Sequence, residues 1–172
     1  MKFKFFLFAL VLLISNSCRS PKTNSFRDSI IKKERVAFQI ILGKEGSETK
    51  KLDNLVKGDF KGALAAVDQQ KLEFDKLIGS IQTLSSDGIQ EGESLKMAAI
   101  NYYKALQELH YFDRKDIEQQ ALIRKLNGKE KEIAQDALIE LSRQKRSLYA
   151  KVYENEYRLS NALDKFDTAN GF

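Results

Sequence analysis

From Phe26 onward, apolar residues recur at alternating spacings of four and three, the period of an amphipathic helix. Phe26, Ile30, Lys33, Ala37 and Ile40 trace the first stripe, and Ile31 and Ile41 widen it. Gly43 and Gly46 interrupt the pattern before Leu52, Leu55 and Val56 resume it, so residues 26–56 are one kinked helix or two. Lys57-Gly58 is a stop signal, and Asp59 is an N-cap for a second helix carrying Phe60, Leu64, Val67, Lys71, Phe74, Ile78 and Ile81. Ser85-Ser86-Asp87-Gly88 closes that helix and opens a polar loop reaching about Gly92. A long third helix follows with Leu95, Ala99, Tyr102, Leu106 and Leu109, then Ile117, Ala121, Ile123 and Leu126 toward its far end. Asn127-Gly128 is too short a connection for anything but an antiparallel return. The fourth helix, over residues 129–168, carries Ala134, Leu138, Leu141, Lys145, Leu148, Val152, Asn155, Leu159, Ala162 and Phe166 on one stripe.

Stripes this wide, joined by short loops, predict an all-α fold: an antiparallel up-and-down four-helix bundle over residues 26–172, with long third and fourth helices. A homomeric coiled coil of the last two helices is the alternative, but it needs narrower seams. Composition points the same way. The chain has a single Pro, at position 21, and no Trp, which disfavours a turn-rich β fold, while Ala, Leu, Glu, Lys and Gln favour helix.

The start of the chain has another pattern. Lys2 and Lys4 precede ten uninterrupted apolar residues, Phe5 to Ile14, and Ser15-Asn16-Ser17 leads to Cys18, the only cysteine. Ten residues make a helix of about 15 Å, half the hydrocarbon thickness of a bilayer, so the segment is not a membrane span. It is similar to a bacterial lipobox, with Ser15 where such signals usually have Leu. The expected organisation is a signal peptide over residues 1–17, removed on export, and a lipidated Cys18 heading a flexible tether to residue 25. Acylation also resolves the problem of a lone thiol in an oxidising compartment. Without residues 1–17, 27 Lys and Arg face 24 Asp and Glu. That weak and scattered excess gives no basic face for nucleic acid.

Little in the mature chain suggests chemistry. His110 is the only histidine, and Gln107 stands three before it, where a di-iron carboxylate bundle would need Glu. No residue marks a partner for His110 in hydrolysis either, so it is expected at the edge of the core. Arg143, Lys145 and Arg146 form the densest basic run, but on a helix they spread around the axis as a solvated face. The pairs Glu130/Glu132 and Glu154/Glu156 stand at i, i+2 and diverge. No phosphate loop, zinc spacing or nucleophile elbow appears, and neither cofactor nor metal is expected. Tyr149, Tyr153 and Tyr157 fall at i, i+4, i+8 on the last helix. They either flank the core or form a ridge for a partner, since tyrosine rows are common binding hot spots.

The start up to Cys18, the segment LKMAAINYY from Leu95 to Tyr103 and the segment FDTANGF from Phe166 to Phe172 together resemble uncharacterised all-helical envelope lipoproteins of spirochaete and bacteroidete type. The resemblance implies a helical bundle on a lipid tether, with no catalytic activity. By similarity to lipoprotein sorting rules, Arg19 rather than Asp after the cysteine implies the outer membrane. The basic Arg19-Ser20-Pro21-Lys22 departs from the acidic stretch that accompanies surface display, which favours the periplasmic face. The expectation is a lipid-anchored, non-enzymatic binding or structural protein: monomeric, held to the membrane through Cys18, and meeting an envelope protein partner. A small-ligand carrier with an apolar cavity inside the bundle is the alternative.

Overall fold

The computed structural model describes residues 20–172. They form six helices and, among the described residues, no strand: α1 (Pro21–Leu42), α2 (Ser47–Val56), α3 (Phe60–Gln82), α4 (Gly92–Tyr111), α5 (Asp113–Ile123) and α6 (Gly128–Asn170). These make an all-α bundle of four long layers, namely α1 with α2, α3, α4 with α5, and α6. Cys18 and the apolar run before it lie outside the described residues. No described helix is long and apolar enough to cross a membrane.

Local chemistry sets the helix boundaries. Pro21 occupies the first turn of α1, where its fixed φ suits a helix and its missing N–H costs nothing. Residues 21–25, expected as tether, are therefore helical, and Thr23 is already buried. The open question over residues 26–56 resolves as two helices. The Gly43 backbone folds back so closely that a Cβ there would lie 2.4 Å from the Gln39 carbonyl oxygen, and Thr49 Oγ1 donates to the Gly43 carbonyl at 3.0 Å. Asp59 caps α3 as expected, its Oδ1 accepting from the Gly62 N–H at 2.9 Å. Gly128 enters α6 at φ +54°, the left-handed conformation that the Asn127-Gly128 corner requires.

The long third helix is in fact two. Phe112 joins α4 to α5, its N–H bonded to the Glu108 carbonyl and its carbonyl accepting from the Lys115 N–H at 3.0 Å. That second bond spans three residues rather than four, a tightened turn that interrupts the α-helical ladder just before the buried Asp113.

The main core lies between α1, α3, α4 and the C-terminal half of α6. Phe26, Phe74, Ile81, Leu95, Tyr103, Val152 and Phe166 meet there, with Phe26 and Phe166 stacked 5.8 Å apart. A smaller cluster of Ala63, Val67 and Ile117 ties α3 to α5. Helix α4 packs broadly on both α3 and α6, whereas α1 rests on α3 and makes no broad interface with α6. Helices α1 and α6 meet at one end, through the Phe26–Phe166 stack and a paired hydrogen bond from Arg27 to Asp167 at 2.6 Å. Beyond that end no broad contact joins them, and a seam stays open between them.

Candidate functional site

Helix α6 runs for 43 residues, about 64 Å. Every residue of its expected stripe, from Ala134 to Phe166, is buried or half-buried. Tyr149, Tyr153 and Tyr157 stand off that stripe, 47%, 67% and 69% exposed. They belong to the solvent face. Tyr103 of α4 is the contrast: it is buried in the core, and burial pushes its hydroxyl well above the usual phenol range. Tyr102 is half-buried on the open seam, its hydroxyl raised by burial and by the charges of Glu156 and Glu34.

That seam has an apolar floor. Between α1, α4 and α6 it widens to a groove of about 310 Å³, whose lining includes Ile30, Tyr102, Tyr103 and Leu159, with Glu34 and Glu156 as its charged residues. Neither carboxylate has an ion-pair partner among the described residues. A larger recess, about 580 Å³, lies on the opposite side of α6, against the α4–α5 corner, among Tyr111, Phe112, Arg114, Lys115, Glu118 and Leu148. Both are open troughs on the surface. The core between the helices is filled by fully buried Phe74, Phe166, Ile81 and Leu95.

The second assembly surrounds His110. Helix α2 is turned so that Ser47 and Lys51 face inward, leaving Leu52 and Val56 of the expected stripe exposed. Lys51, only 4% exposed, donates to Glu48 Oε1 at 2.7 Å and to Asp113. Lys145 donates to Asp113 from the other side and lies 3.6 Å from Asp116. Lys145 is therefore a buried-cluster residue rather than part of a solvated basic face. His110 Nδ1 lies 3.3 Å from Glu48 Oε2, and the His110 ring stacks on Phe74 at 6.0 Å. The histidine thus has a partner 62 residues away that no local motif marks. Gln70 Nε2 donates to the same Glu48 oxygen at 3.0 Å.

Charge state follows from this packing. Burial acts to raise the Glu48 carboxyl, but hydrogen bonds from His110, Lys51 and Gln70 overcome it and hold the group at about 2. Burial and the nearby Asp113 carboxylate raise Asp116, against the pull of Lys145. Burial acts to lower Lys145, and the bond to Asp113 reverses it, so the ammonium is held more firmly than usual. Glu48, His110 and Asp113 bring one ligand atom each within 4.8 Å of one another. The Lys51 ammonium bridges the two carboxylates, so the position a cation would take is filled by the protein's own charge. The chemistry on offer is an ion lock joining α2, α4, α5 and α6. The sequence does carry a trace of it, because His110, Asp113 and Asp116 recur at three-residue spacing and lysines interrupt the inward stripes of α2 and α6.

No protein-family model, no curated protein and no solved structure matches the chain.

Proposed function

We propose that this chain is a lipid-anchored, non-enzymatic envelope protein, held at the periplasmic face of the outer membrane through Cys18, that binds a partner with the solvent face of α6. The observation that carries the reading is the row Tyr149, Tyr153 and Tyr157, exposed on a helix whose opposite face is buried. Amphipathic rings on a rigid helix lose little conformational entropy on contact, which suits them to a protein partner. The filled core supports a binding module over a carrier.

Changing the three tyrosines together to Ser tests this. Stability should move by less than about 1 kcal/mol, because exposed rings contribute little to the core. Crosslinks formed by the native protein in its membrane should disappear. A collapse of the melting temperature, or an unchanged crosslink pattern, overturns the recognition role. The anchor has its own check: mass spectrometry should find the mature N-terminus at Cys18 carrying acyl chains, and Cys18→Ser should remain uncleaved there or be released unlipidated.

A further inference from the structure

The tyrosine row forms one lip of the open seam, and the other lip lies on α1. Lys145 and Glu156 are eleven residues apart on α6, about 20° from facing the same way. Tyr149, Tyr153 and Tyr157 rise along the shoulder beside them. On α1, Ile31, Phe38 and Leu42 are exposed and lie within about 40–80° of Glu34 around the helix axis. The groove over Tyr102 lies at one end of this seam. A second recess of about 240 Å³, among Lys51, Leu52, Asp113, Asp116 and Lys145, lies further along α6, where α2 and α5 rather than α1 face it. From Leu163 to Lys145 the α6 side spans eighteen residues, about 27 Å, the length of a five-turn helix.

Charge along the seam selects what can lie in it. Glu34 and Glu156 face the groove from opposite walls without ion pairs, and both act on Tyr102. In the second recess Glu48, Asp113 and Asp116 meet the ammonium groups of Lys51 and Lys145, with His110 beside Glu48, and the buried Asp116 Oδ1 has no hydrogen-bond partner. An apolar floor between apolar lips, with carboxylates in excess, complements a helix that has one apolar face flanked by lysine or arginine.

We infer that the seam between α1 and α6 is a docking groove for a basic amphipathic helix of a partner protein, seated as a fifth helix of the bundle. Its apolar face covers Tyr102 and the two lips, and its cations pair with Glu34 and Glu156. The inference rests on the proposed binding role of the tyrosine row and names the kind of partner that row takes.

The test uses the full chain in phosphatidylcholine nanodiscs, with empty discs as the blank. The probes are two synthetic helices of about eighteen residues, one Leu/Lys and one Leu/Glu, patterned alike. Fluorescence anisotropy should show the Leu/Lys helix bound at least about tenfold more tightly than the Leu/Glu helix. Glu34→Lys with Glu156→Lys should reverse that preference. Both positions are exposed, and circular dichroism should show the variant as helical as the parent. Equal binding of the two peptides, or an unchanged preference in the double variant, overturns the inference. So does a dimer in sedimentation that the Leu/Lys helix fails to dissociate, which would assign the seam to a second copy of this chain. Capture of the protein by phosphatidylglycerol vesicles that the Leu/Lys helix does not compete for would assign it to lipid and overturn the inference equally. Peptide selectivity intact in a tyrosine triple variant that has also kept its native crosslinks would sink the proposed role of the row and leave the groove standing. Crosslinks lost in the triple variant, together with no peptide selectivity in the parent protein, would do the reverse.

Discussion

Around Phe74 and Phe166 the bundle is held by buried apolar side chains contributed by α1, α3, α4 and α6. Around Asp113 four helices meet as well, but the inward groups are Glu48, Lys51, His110, Asp116 and Lys145. The first region tolerates sliding, since one leucine-sized surface packs on another with modest loss. The second does not, because each ammonium must reach its own carboxylate. Burying charges yields little net stability, yet a broken pair is costly. We read the apolar region as the source of stability and the ion lock as the device that fixes how α2 and α6 sit on the α4–α5 corner.

The widest separation between the two regions should come from truncation. Phe166→Ala removes a fully buried ring stacked on both Phe26 and Phe172, and should cost about 3–5 kcal/mol. Thermal unfolding followed by circular dichroism measures it, and a loss below about 1 kcal/mol would show that the core can collapse around the gap.

Lys51→Met should cost about 3 kcal/mol, by leaving Glu48 and Asp113 facing each other without their bridge. Replacing Glu48, Lys51 and Asp113 together with apolar residues of similar volume should recover most of that loss. Urea unfolding of the single and triple variants decides between them, and a triple variant as unstable as the single one would make the lock a true source of stability.

The smallest effect separates the regions by pH. Glu48 has a folded pKa of about 2, below its unfolded value, so its contribution is complete above about pH 4.5 and fades as pH falls toward 2. Asp116 is shifted upward and works in the opposite sense, gaining in the acid range. The net loss of stability on acidification should be on the order of 1–2 kcal/mol. Melting temperatures between pH 5 and 2.5 test this, and the slope should flatten in Lys51→Met but not in Phe166→Ala.

The same contrast governs how much of the molecule its sequence disclosed. The stripes of α3, α4 and α6 were legible because each residue's inward position depends on neighbours three and four away. Asp59 was legible as a cap for the same local reason. The lock was not, because Lys51 and Asp113 are separated by 62 residues and Lys145 and Asp113 by 32. Periodicity assigns a lysine in an apolar stripe no partner. The interruption at Phe112 was hidden too, since the apolar pattern runs on through it from Leu109 to Ile117. Pro21 misled in another way: proline breaks a helix from within yet starts one from its first turn, and only the covering of Thr23 and Phe26 tells the two apart. Of the candidate surface, the tyrosine row was legible from spacing, whereas the groove beside it required knowing that a seam stays open between α1 and α6.

The helical start at Pro21 bears on posture. Were Cys18 to carry the proposed lipid, only Arg19 and Ser20 would separate the acylated position from the start of α1 at Pro21, a link of at most about 10 Å. The Phe26–Phe166 end of the bundle would then be moored against the bilayer, with the Asn127-Gly128 corner at the far end of a helix some 60 Å long. A molecule so leashed would behave as a short mast rather than a float on a line. What it holds would be presented at a set height above the membrane.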